Sequence, residues 1–230
     1  MNKLINFTDN TEVTALEIGN KAYNLLCFGR KYPEINMPKS FVVPTYMAGV
    51  NNEYSELMNI KYPVIARSSS TVEDSELSFA GLFDSYVCQS YEELLKAIRD
   101  IQNGIFAEQI LEYCKRFNVD SKNIRMAVLI QEYLKPQISG VTFTKNPLNN
   151  DETVIYTEYC KKSSDAVTSG TIKTQNFLLN KNVSEKETED FLEIKQISLR
   201  AEEFLKRAAD IEWVVSDDKL FIVQIRPVTS

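Results

Sequence analysis

The sequence predicts an α+β fold in which helices are inserted among largely antiparallel strands. Three observations carry the expectation. Apolar runs of strand length, "RMAVLIQEYL" and "ISGVTFT", follow one another across a Lys-Pro turn, and "TVIYTEY" adds a further strand. Two Ser-x-x-Glu boxes, Ser90 with Glu93 and Ser184 with Glu187, mark helix starts because the hydroxyl and the carboxylate cap orphan N–H groups. Finally, "DIEWVV" and "LFIVQIR" alternate as paired strands do.

Taken in order, residues 13 to 30 form a short lead, a Gly-Asn turn and a helix with Ala22, Leu25 and Leu26 on one side. Prolines bound a short strand at Phe41 to Val43. After the polar joint "NNEYSEL", Pro63 to Arg67 reads as a buried strand that opens into "VIARSSSTVEDSELSFAG". "SYVC" is a second short strand, and helices follow through "SYEELLKAIRDIQN" and "FAEQILEYCKRF". Between Ser184 and Ala209 a long helix presents Phe191, Ile194, Ile197 and Phe204. No internal repeat or low-complexity segment interrupts this order.

Composition narrows the function classes. The 230 residues are 43% hydrophobic and 25% charged, as in an ordinary globular protein. A net charge of -6 argues against nucleic acid and anionic membranes as non-specific partners, so any anionic ligand needs a locally basic pocket. Cys27, Cys88, Cys114 and Cys160 are widely spaced, which signals neither a zinc site nor a disulfide scaffold. No secretory leader or membrane-length apolar run is evident, and a cytoplasmic setting is expected. There are no histidines, which closes every mechanism that needs an imidazole of this chain as base, ligand or phosphoryl carrier.

The last two strands make a geometric prediction. With a three-residue loop, Asp217 to Lys219, Glu212 pairs with Gln224 and Asp210 with Arg226 on one face. The other face carries Ile211, Trp213 and Val215 against Phe221, Val223 and Ile225. Carboxylate and amide oxygens at the open end suit Mg²⁺, and a guanidinium fork suits phosphate, although a structural Asp-Arg pair is equally compatible with the pattern. Arg67 at a strand end, followed by Ser68, Ser69, Ser70 and Thr71, is a second candidate anion site; pairing with Glu73 or Asp74 is its structural alternative. Lys21, just after Gly19-Asn20 at a helix start, is a third.

Together, "GNKAYNL", "VIARSSSTVEDSELSFAG", "SGVTFTKNP", "DIEW" and "VQIRPVTS" resemble the nucleotide-binding domain of the phosphoenolpyruvate synthase and pyruvate phosphate dikinase family, with its rifamycin phosphotransferase-like and glutamine kinase-like relatives. The resemblance runs from about Leu16 to Thr229 in matching motif order. It implies an ATP-grasp fold with nucleotide between two lobes, here 1–130 and 131–230. It also implies that Lys21, Arg67 and Arg226 act on phosphate during catalysis. Glu212 and Gln224 are implied as ligands of Mg²⁺ and nucleotide, Asp210 as a neighbouring nucleotide-side carboxylate, and Gln131, Glu132 and Tyr133 as the adenine segment.

"SFAG" resembles the family's small-residue loop over the phosphates. A Gly-Leu-Gly-Glu-like segment of the family is replaced by "YCKKSSDAVTSG", and only a dozen or so residues after Met47 stand where the family carries a longer helical insertion. The implied activity is ATP- and Mg²⁺-dependent transfer of the β-phosphate to a histidine on a separate swivelling domain or partner. Pyruvate, an antibiotic hydroxyl and a glutamine amide stay open as final acceptors. Two other classes compete: a nucleotide-responsive binding module without turnover, and carboxylate-amine ligation, which would yield ADP and a new amide.

Overall fold

In the computed structural model, residues 3–48, 54–72, 85–117, 120–161, 174–182 and 189–228 are described. The apolar runs close into two five-stranded sheets, each antiparallel throughout, within two compact units. One unit is built from Met1–Leu26 and Pro38–Tyr133, the other from Cys27–Met37 and Leu134–Val228. The α+β organisation read from the sequence is therefore the observed one.

The first sheet has the order β1 (Ile5–Asn6), β2 (Ser40–Val43), β5 (Met126–Glu132), β3 (Val64–Ser70) and β4 (Ser85–Cys88). Central β5 is apolar without alternation because both of its faces are covered, and all its residues but Glu132 are buried. Val128 and Ile130 share a core with Leu94, Ala97, Ile98 and Ile101 of α2 (Tyr91–Asn103). Burial of Leu94 or Ile98 stabilises the unit by about 2 kcal/mol each. Ser90 caps α2 by accepting from the Glu93 N–H at 3.3 Å, while the Glu93 carboxylate accepts from the Gln89 N–H at 2.7 Å. The Ser184–Glu187 box and the "SFAG" loop lie outside the described residues.

The second sheet has the order β10 (Lys219–Pro227), β9 (Ala209–Ser216), β6 (Ile138–Phe143), β7 (Val154–Lys161) and β8 (Gln175–Asn180). The sequence reading left out β8 and the two-residue β1. Helices α3 (Glu108–Phe117) and α4 (Glu189–Leu205) follow in the chain, and the Phe177 ring of β8 meets the Phe191 ring of α4 at 4.4 Å, tilted by 53°, so α4 lies on the face shared by Phe177, Thr157, Thr142 and Ile211. On that face the Trp213 indole donates to the Thr142 hydroxyl at 2.9 Å, which in turn meets Thr157 at 2.9 Å. The backbone at Gly140 approaches this indole so closely that a Cβ there would lie 2.4 Å from the ring. By the two-residue period of a strand, Asp210 and Glu212 point to the opposite face.

Candidate functional site

α1 (Ala15–Lys31), whose residues up to Leu26 belong to the first unit, is broken at Gly19, whose φ of 73° and ψ of 160° are not helical. Glycine is required there twice over. A side chain rarely adopts that φ, and a Cβ would sit 1.9 Å from the Ser69 carbonyl oxygen. The Gly-Asn turn of the sequence reading is this break. It docks on the end of β3: Lys21 Nζ donates to the Ser68 carbonyl at 2.9 Å, and the Asn20 side-chain amide donates to the Thr71 carbonyl at 3.2 Å.

The serines after Arg67 differ from the expectation of a free donor row. β3 runs on to Ser70, and Ser68, Ser69 and Ser70 are all buried. The Ser69 hydroxyl donates to the Ile18 carbonyl at 2.8 Å and accepts from the Ala22 N–H at 3.0 Å. Ser70 accepts from the Val72 N–H at 3.2 Å. Arg67, half-buried, is paired in the sheet with Leu129, and Ile65 with Gln131, so Arg67 and the buried Gln131 side chain share one face. The N–H groups of Glu132 and Tyr133 are engaged within the unit, donating to Lys39 at 2.8 Å and Pro63 at 3.2 Å.

In the second unit the terminal hairpin departs from the expected loop and still reaches the expected pairs. Asp217 and Asp218 alone form the turn, with φ of 50° and 57°, so Ser216 pairs with Lys219 and Trp213 with Ile222. These two positive φ values are those of a type I′ turn, whose twist suits two strands. An irregularity between Ile222 and Gln224 then adds one residue, and beyond it Glu212 pairs with Gln224 and Asp210 with Arg226. The two-residue turn corrects the expected partners of Trp213 and Val215, which pair with Ile222 and Leu220, and the bulge restores those of Glu212 and Asp210.

Asp210 is only 4% exposed, and its Oδ2 accepts from both Nε and Nη2 of Arg226, each at 2.7 Å. Its Oδ1 is buried and meets no hydrogen-bond donor among the described residues. Burial pushes this carboxyl up to about 6; Arg226 opposes the shift and Glu212 adds to it. Asp210 thus holds Arg226.

One carboxylate on this face escaped the sequence reading. Glu158 on β7 lies opposite Val141, which lies opposite Glu212, so Gln224, Glu212, Val141 and Glu158 form a row across four strands. The Tyr156 hydroxyl donates to Glu158 at 2.5 Å, which pushes the phenol up to about 12. The visible signal was the alternation Tyr156, Glu158 in "TVIYTEY", which acquires meaning only with strand register. Among the described residues, no three His, Cys, Asp or Glu side chains form a ready-made metal site, and no helix is long and apolar enough to cross a membrane.

A family model described as pyruvate phosphate dikinase, AMP/ATP-binding domain, matches residues 44–190 and 161–230. This range takes in every candidate site residue but Lys21. The uncharacterized phosphotransferase YvkC of Bacillus subtilis is 26% identical over 73% of this chain and 24% of its own length. Rifampicin phosphotransferase of Streptomyces sviceus is 26% identical over 84% of this chain and 26% of its own. The probable phosphoenolpyruvate synthase of Methanocaldococcus jannaschii is 26% identical over 73% and 17%. The chain therefore spans about a quarter or less of the length of these relatives.

Proposed function

The chain belongs to the pyruvate phosphate dikinase AMP/ATP-binding domain family, and from that premise we propose that it binds ATP and delivers the β-phosphate to a histidine on a separate swivelling domain, in the same polypeptide or in trans. The observation that carries this reading is the open end of the terminal hairpin. There a carboxylate, an amide and a guanidinium lie on one sheet face, with Arg226 held rigidly by a buried carboxylate. A phosphoryl transferase of this kind needs no nucleophile of its own. It needs positioning and positive charge where the phosphate oxygens gather.

In this reading Arg226 presents its donors to phosphate in the plane that Asp210 sets, while Lys21 and Arg67 add cationic donors. Gln131, Glu132 and Tyr133 serve the adenine. Glu212 and Gln224 fit Mg²⁺: they are hard oxygen donors on adjacent strands, and a set of one or two protein ligands is what this ion takes when substrate phosphates complete its shell. When bound, the ion neutralises phosphate charge. Because the chain has no histidine, the acceptor imidazole of this reading comes from outside it. The relatives' names include a rifampicin phosphotransferase and a phosphoenolpyruvate synthase, so an antibiotic hydroxyl and pyruvate stand as final acceptors beside a glutamine amide.

The test mixes the purified chain with ATP, Mg²⁺ and a separately purified histidine-bearing carrier domain of the family. The expected products are AMP, an acid-labile phosphohistidine that carries the β-phosphate, and inorganic phosphate from the γ position, released to water, formed only when both proteins are present. Bound ATP that is never turned over would instead establish a binding module. ADP accompanied by a new amide would establish ligation.

A further inference from the structure

We propose that Ser69 is a positioning residue for Lys21, acting as a clasp that holds the break in α1 open. The inference rests on the reading of Lys21 as a nucleotide-side lysine. In an uninterrupted α-helix the Ala22 N–H would donate to the Ile18 carbonyl, four residues back. Here Gly19, between the two, is not helical, and one hydroxyl bridges both groups: Ser69 Oγ donates to the Ile18 carbonyl at 2.8 Å and accepts from the Ala22 N–H at 3.0 Å. Insertion of a side chain into the helical ladder is one of the few physical causes of a sharp helix kink.

The three residues inside the opened turn are Gly19, Asn20 and Lys21, and each is fitted to β3 or the residues just after it. Gly19 lies against the Ser69 backbone where no Cβ fits, Asn20 reaches the Thr71 carbonyl, and Lys21 Nζ reaches the Ser68 carbonyl at 2.9 Å. Ser69 is fully buried, so its hydroxyl is not a ligand-facing donor. Its effect on ligand must pass through the segment it holds. Without the hydroxyl, Ile18 and Ala22 are left to pair with each other, the turn closes, and Lys21 leaves Ser68.

The test compares Ser69→Ala, Lys21→Met and the double variant in two measurements. The first is the site-resolved acylation rate of lysines by mass spectrometry, which needs no nucleotide. Ser69→Ala is expected to raise the Lys21 rate several-fold while the exposed Lys115 and Lys219 keep theirs. The second is ATP affinity. The loss of two hydrogen bonds that hold the turn is expected to weaken ATP about tenfold in the Lys21 background and less than twofold in the Lys21→Met background.

Equal losses in both backgrounds, or an unchanged Lys21 acylation rate, overturn the proposal. If Lys21→Met binds ATP as wild type does, the nucleotide role of Lys21 fails, and the acylation rates still decide whether Ser69 positions it. Should Ser69→Ala not fold by circular dichroism, Ser69→Cys, close in size and a weaker donor, carries both measurements.

Discussion

The two candidate regions hold their cations in different ways. Lys21 is placed by contacts between segments 47 to 51 residues apart, through a helix break, a buried serine and a glycine pressed on a strand. Arg226 is placed by its cross-strand neighbour in a hairpin closed by two residues. The first arrangement exists only once the unit has folded. The second is local, and it tolerates a one-residue error near the turn because the bulge restores the register at the open end. The comparison teaches that a distant clasp concentrates its sensitivity in few atoms, whereas a local ladder spreads it.

The largest expected effect lies at the clasp. Gly19→Ala must relieve both a positive φ and a backbone overlap, so it should cost about 3 kcal/mol or more in urea unfolding. A change near zero would show that the break is not held as described.

At the hairpin, Arg226→Ala leaves the buried Asp210 carboxylate without its donor and should cost about 2 to 3 kcal/mol. The paired variant Asp210→Asn with Arg226→Met should recover much of that stability without recovering ATP binding. Failure to recover would mean that the pair is not an isolated unit.

Asp210 also predicts a pH dependence. Its folded-state pKa, near 6, lies above the ordinary aspartate value, so between these values the folded state binds more protons than the unfolded state. Stability should therefore rise as pH falls from 7 towards 4. Relative to Asp210→Asn, wild type should gain about 2 kcal/mol over this window in urea titrations. The opposite slope would indicate that pairing with Arg226 outweighs burial.

The smallest effect belongs to the turn. Asp218→Gly relieves a positive φ at a position where type I′ turns favour glycine, and should stabilise the chain by about 0.5 kcal/mol. Lys21 acylation should not change, because the turn and the clasp are separate structures. A change at Lys21 would break the comparison.

What could be read from the chain follows the same division. The hairpin was legible because its strands are contiguous, alternate cleanly and carry their polar residues at matched positions. Its loop was misjudged because Asp-Asp is an unusual occupant of a two-residue turn, and the compensating bulge at Val223 leaves no mark in the apolar pattern. "GNK" and "RSSS" were legible as motifs. Their mutual docking was not, since serines after a strand read equally as ligand donors or as internal braces, and only tertiary contact decides between them. Glu158 stayed hidden for a related reason: its tie to Glu212 crosses three strands far apart in sequence.

The most direct test of the account is a calorimetric titration of the 230-residue chain with ATP, in Mg²⁺ and in EDTA, for wild type and Glu212→Gln. The account predicts saturable binding that Mg²⁺ strengthens in wild type, and a much smaller Mg²⁺ effect in Glu212→Gln with metal-free binding little changed. No saturable binding by the folded chain would contradict the nucleotide site itself. An undiminished Mg²⁺ effect in Glu212→Gln would contradict the metal role assigned to the hairpin.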